Sequence, residues 1–161
     1  MICKLFIVIL IILNCFFLFQ ISTIATPIDI YQHKNQITEQ LQSAFNISSD
    51  IAEMIYKQST INSLNPLLIA ALCYTESEFN PKAKSCKGYK GIMQTKTVSG
   101  YTEADLLHGI LVLKEKLELS DGNLKKAIIM YKGYKIDSAR GNKQAEKVLD
   151  IYKQLKKGEK I

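Results

Sequence analysis

The chain has 161 residues, 47% of them hydrophobic and 22% charged, with eight glycines and three prolines. That size fits one small domain with a short appendage and excludes two full domains. The composition excludes collagen-like, disordered and coiled-coil chains. A net charge of +6 is compatible with a negatively charged partner such as nucleic acid, anionic lipid or an acidic wall polymer, but the bland reading of an ordinary solvated surface is the stronger. The lysines are spread among acids, with no basic helix or RNA-binding signature, so nucleic acid is not an expected partner.

Residues 1–25 read MICKLFIVILIILNCFFLFQISTIA: one lysine, an apolar run broken only by Asn14, then small and polar residues. That is the layout of a secretory signal, with Ala25/Thr26 as the expected junction. The competing reading keeps the segment as a membrane anchor, since a bilayer core takes about 20 apolar residues. Acylation at Cys15 is disfavoured by Asn14. Each reading puts the body outside the cytoplasm, in the periplasm or the medium, with membrane contact only through an uncleaved segment. Of four cysteines, Cys73 and Cys86 lie in that body. An even pair in an oxidising compartment suggests a disulfide, worth about 3 kcal/mol by loop entropy; two reduced thiols are the alternative.

Residues 26–47 form a polar lead segment or a loosely docked helix, and the compact domain is expected over 48–157. Asp50 followed by Glu53 reads as a capping pair opening a helix whose inner face is Ile51, Met54 and Ile55. Asn65-Pro66 opens a second helix, apolar on most sides and therefore central, running toward Phe79 and stopped by Asn80-Pro81. Residues 80–100, with Pro81, Gly88, Gly91 and Gly100, form a long loop with room for one hairpin; such loops are usually functional. Thr102 and Asp105 read as the cap of a helix with a broad apolar stripe through Leu117. After the turn Ser120-Asp121-Gly122-Asn123, a helix runs from Leu124 to Gly133, and Val148, Ile151, Tyr152 and Leu155 mark the last one. Strand signals are weak, so the fold class is all-α.

His33 and His108 belong to no ligand-spaced cluster, and no Ser/His or Cys/His pairing stands out, so neither a metal nor an organic cofactor is expected. Glu76 falls in the last turn of the most apolar helix, where the negative helix end and partial burial favour a neutral carboxyl able to donate a proton. The bland alternative is a solvated helix-end residue like Glu78, two positions on and on a different face.

The stretch AALCYTESEFNPKAKS from Ala70 to Ser85, followed by GYKGIMQ from Gly88 to Gln94, resembles the signature of soluble lytic transglycosylases of the lysozyme-like superfamily. There Glu-Ser follows an apolar helix, with Asn-Pro and a Gly-Leu-Met-Gln block further on. Asp105 to Leu113 with Gly109 is similar to that family's next helix, and Ala127 to Tyr134 to its Tyr-Asn-Ala-Gly turn; the resemblance runs roughly from Ser48 to Leu155. It implies a lysozyme-like (goose-type/SLT) helical domain with a long glycine-containing active-site loop. Glu76 would be the single catalytic acid and base, and Tyr131 would point its hydroxyl at Glu76. Met93 and Gln94 would touch the sugar, with Ser77 and Ser85 as polar positions beside the cleft. On packing grounds alone, Ile92 and Met93 instead fix the loop to the core, and Tyr131 is an ordinary core aromatic. Lys132 stands where the family has Asn, Gly133-Tyr134 replaces Ala-Gly, and Cys86 is unusual in its loop.

The implied activity is cleavage of peptidoglycan between N-acetylmuramic acid and N-acetylglucosamine, leaving a 1,6-anhydro end, by an enzyme expected to be monomeric. The implied partners are glycan strands and cell-envelope machinery. A hydrolytic muramidase is the nearer rival, should Glu103, Asp105 or Asp121 approach Glu76; a non-catalytic wall-binding or secretion-accessory module is the farther one.

Overall fold

The computed structural model describes residues 26–96 and 99–161. The signal or anchor segment 1–25, with Cys3 and Cys15, lies outside them. Six helices and no strands occur among the described residues: α1 Pro27–Phe45, α2 Ser49–Ile61, α3 Pro66–Ser77, α4 Thr102–Leu119, α5 Leu124–Tyr131 and α6 Ala139–Lys156. None is long and apolar enough to cross a membrane.

The described residues fall into two units, divided between Asn35 and Gln36. In the first, Thr26 and Asp29 cap the start of α1 reciprocally: the Thr26 amide and hydroxyl donate to Asp29 Oδ2 at 2.9 and 2.7 Å, and the Asp29 amide donates back at 3.2 Å. In the second, Leu41 and Ala44 of α1 are buried in the core, and the Gln40 side chain donates to the Leu155 carbonyl of α6. The lead segment is helical, and its residues from Gln36 on pack within the second unit.

Within that body α3 is central. Every residue from Pro66 to Cys73 is buried, and full burial of each Leu or Ile contributes about 1.5–3 kcal/mol. A helix apolar all round has no solvent face to offer; α2 and α6 pack on it, α4 packs on α2 and α5, and α5 on α6. Asn65 Oδ1 caps α3 by accepting from the Leu67 amide at 2.9 Å, with Pro66 in the first turn.

Two expected caps move. Ser48, not Asp50, caps α2, accepting from the Ile51 amide at 3.4 Å. At α4, Tyr101 occupies the cap position without a side-chain bond, while Asp105 reaches back to the Ser99 amide at 2.6 Å and hydroxyl at 3.1 Å. Proline does not end α3: the helix stops at Ser77, ahead of Pro81, because Glu78 and Phe79 turn left-handed with φ of 52° and 62°. Phe79 is held there by burial against Phe45, ring centroids 4.9 Å apart, and Phe45 packs in turn on Tyr74 at 5.0 Å. The loop beyond is tied by two isolated antiparallel bridges, Lys84 to Lys90 and Lys90 to Thr95.

Candidate active site

Glu76 stands in the last turn of α3 with its side chain 15% exposed. It lines a cleft of about 210 Å³ with Tyr74, Thr75, Ser77, Glu78 and Lys147. Glu78 therefore does not leave on another face as ideal helical spacing implies; the left-handed turn at Glu78 brings it to the same cleft, exposed to solvent. A larger groove of about 570 Å³ along α6 shares Tyr74 and Lys147 with that cleft.

Glu76 is not a lone carboxyl among apolar groups. Its Oε1 accepts from Lys132 Nζ at 2.6 Å, and the lysine side chain is only 6% exposed. The backbone explains how Lys132 gets there. Lys132 caps α5, and Gly133 follows at φ 72°, the left-handed position that glycine fills without steric cost. The Gly133 amide donates to Met130 O at 3.0 Å and the Tyr134 amide to Ile129 O at 3.1 Å, the paired bonds of a Schellman ending. The Lys-Gly-Tyr replacement thus builds a well-closed helix end whose cap residue supplies a buried cation to the end of α3.

Tyr131 does not orient Glu76 by a hydrogen bond: its hydroxyl donates to the Met93 carbonyl at 2.6 Å. Burial pushes the phenol well above its ordinary range, and the Glu76 charge adds to the effect. Ser77, expected beside the sugar, donates its hydroxyl to Ile92 O at 2.7 Å and to Cys73 O at 3.3 Å. Met93 is 1% exposed, so its side chain packs the loop onto the core rather than lying open to a sugar. It fits because α4 presents Gly109: a β-carbon there would stand 2.5 Å from Met93 Cβ. Helices α3, α4 and α5 thus each fix the Ile92-Met93 block, through Ser77, Gly109 and Tyr131.

Gln94 is half-buried at φ 48°, its amide donating to Gly91 O at 3.0 Å and Ala83 O at 3.2 Å. Ser85 lies within the loop, its hydroxyl oxygen accepting from the Tyr89 amide at 3.0 Å. Both stabilise the loop's own shape.

The expected disulfide is absent: Cys73 is free and buried inside α3, while Cys86 is free and exposed on the loop. Burial, reinforced by the Glu76 charge, pushes the Cys73 thiol far up. Of the other carboxylates considered, Glu103 accepts from Lys57 and Gln58, and Asp105 from Ser99; neither lines the Glu76 cleft. No group of three His, Cys, Asp or Glu able to hold a metal occurs among the described residues. Sequence reasoning missed Lys132, Lys147 and Glu78 as site residues. Gly133 signals the helix ending that places Lys132, whereas the direction of its side chain depends on how α5 docks near α3.

An all-α body whose buried helix ends in Glu76, open to a cleft, is consistent with a lysozyme-like helical fold. Residues 53–105, about a third of the chain, match the family model of the transglycosylase SLT domain, which supports an SLT-type lysozyme-like reading of this body. The match takes in most of α2, all of α3, the loop and the first turn of α4, and ends before Tyr131 and Lys132. No curated protein and no solved structure matches the chain.

Proposed function

We propose that the protein is an exported lytic transglycosylase that cleaves the β-1,4 bond between N-acetylmuramic acid and N-acetylglucosamine, with Glu76 as its single acid and base. The observation that carries this reading is the position of Glu76, at the end of the buried helix within the family-matched stretch and open to a cleft. Export is supported by the apolar N-terminal segment, and dwelling on an acidic wall by the positive net charge.

The chemistry needs one proton carrier. Protonated Glu76 donates to the glycosidic oxygen as the bond to the muramic C1 breaks, and the glucosamine leaves as an alcohol. The substrate's own acetamido oxygen stabilises the positive C1. The Glu76 carboxylate then takes the proton of the muramic 6-hydroxyl as that oxygen bonds to C1, which closes the 1,6-anhydro ring and restores the acid. No water is consumed. Ser77, Tyr131 and Met93 serve by fixing the Ile92-Met93 block of the loop that follows α3, and Gln94 and Ser85 by shaping that loop.

Glu78 favours a second reading, hydrolysis, because a second carboxylate beside the acid can activate water. Mass spectrometry of muropeptides released from purified peptidoglycan separates the two. The transglycosylase gives products lighter by one water than hydrolytic ones; full-mass reducing ends would assign a muramidase.

A further inference from the structure

Lys132 is the group in direct contact with Glu76, and it stands outside the family-matched stretch, at a position where the resembled family has Asn. Three observations bear on its part. The contact is short, 2.6 Å, and both side chains are largely buried, at 6% and 15% exposure, so solvent screens the pair weakly. It engages Oε1 alone; Oε2 has no hydrogen-bond partner among the described residues. Tyr131, the residue the resemblance assigns to orienting Glu76, has its hydroxyl committed to Met93 O.

We propose that Lys132, rather than Tyr131, is the positioning residue of Glu76: its ammonium anchors Oε1, turns Oε2 toward the substrate, and supports the negative charge that forms on the carboxyl as the glycosidic bond is protonated. This rests on the assignment of Glu76 as the acid. A fixed cation beside a group whose charge develops during bond cleavage needs no reorganisation at the moment of reaction, which makes such stabilisation effective in a shielded site. Anchoring one oxygen also removes the rotation that would otherwise present either oxygen in varying directions. The other ionisable groups around Glu76 are Tyr131 on α5, Cys73 and Tyr74 on α3, Glu78 just beyond the end of α3 and Lys147 from α6. Tyr131 and Cys73 hold their protons through neutral pH, Glu78 is solvated, and Lys147 lines the cleft as an exposed residue, which leaves Lys132 as the charge in contact.

The test uses Lys132→Met, Lys132→Arg and Tyr131→Phe in the full chain, with two readouts. The first is independent of turnover: the position of the Glu76 carboxyl-carbon NMR resonance at neutral pH, assigned by its loss in Glu76→Gln. Loss of the ammonium contact displaces that resonance in Lys132→Met, Lys132→Arg leaves it near its wild-type position, and Tyr131→Phe moves it little. The second readout is release of soluble muropeptides. Lys132→Met lowers kcat by about 10- to 100-fold with KM little changed, and Lys132→Arg recovers most of the rate. If Lys132→Met fails to fold, Lys132→Asn, the residue the resembled family carries here, is read in its place with the same expectations. A Glu76 resonance unmoved in the folded variant would overturn the proposal, as would a displaced resonance with kcat unchanged. A wild-type protein that releases nothing from peptidoglycan would instead sink the assignment of Glu76 as an acid, while the resonance still reports the pairing.

Discussion

Glu76, Lys132, Tyr131 and Cys73 form one small electrostatic neighbourhood in which a single acid is paired and two weak acids are kept neutral by burial. The two neutral groups make stability depend on alkaline pH. An unburied thiol titrates near 9.0 and a phenol near 10.0, and in the folded protein both are pushed higher. Above about pH 9 the unfolded chain therefore holds fewer protons than the native one, and the sign follows from linkage: stability from these groups is complete below pH 9 and is lost as pH rises toward their native values. Thermal melts from pH 7 to 11 should show a decline that begins near pH 9 and is shallower in Cys73→Ala than in wild type. Identical slopes in the two proteins would contradict the buried, protonated thiol.

At the scale of elements, the site is a junction of three helix segments on one loop block. Ser77 from α3 and the Tyr131 hydroxyl from α5 each hold one carbonyl of Ile92-Met93, and Gly109 in α4 leaves room for the Met93 side chain. Gly109→Ala tests this directly. The added methyl meets Met93 Cβ at 2.5 Å and Sδ at 2.6 Å, too close to be absorbed without displacing the loop. Overpacking of this kind costs about 1–3 kcal/mol, read as a lower denaturant midpoint with an unchanged slope, and turnover should fall as the displaced block disturbs Ser77, which bonds Ile92 O and lines the Glu76 cleft. A variant as stable and active as wild type would show that the loop does not depend on this contact.

Across the whole molecule, what could be read from the sequence follows the range of the forces involved. The all-α class, the central helix opened by Asn65-Pro66 and the turn before Leu124 are local matters of capping, proline and apolar spacing, and the structure has each of them. The packing of α1 was less legible, because it buries only Thr38, Leu41 and Ala44, too few to stand out from a polar segment. The site divides the same way. Glu76 at the end of an apolar helix is a local feature; its pairing with Lys132, 56 positions away, is set by where α5 docks. The expected Cys73–Cys86 bridge failed on the same ground, since the buried face of α3 takes in Cys73 while the loop carries Cys86 at the surface.

The central claim is that one carboxylate, Glu76, does the chemistry although Glu78 shares its cleft. The most direct measurement is the rate of soluble muropeptide release from purified sacculi by wild type, Glu76→Gln and Glu78→Gln, each shown by circular dichroism to be folded. Gln keeps an oxygen able to accept from Lys132, so the fold should survive at position 76 while release falls to background, a loss of at least about 100-fold for removing an acid and base. Glu78→Gln should retain release within a few-fold of wild type. Release by folded Glu76→Gln at the wild-type rate, or its loss in Glu78→Gln alone, would contradict the assignment.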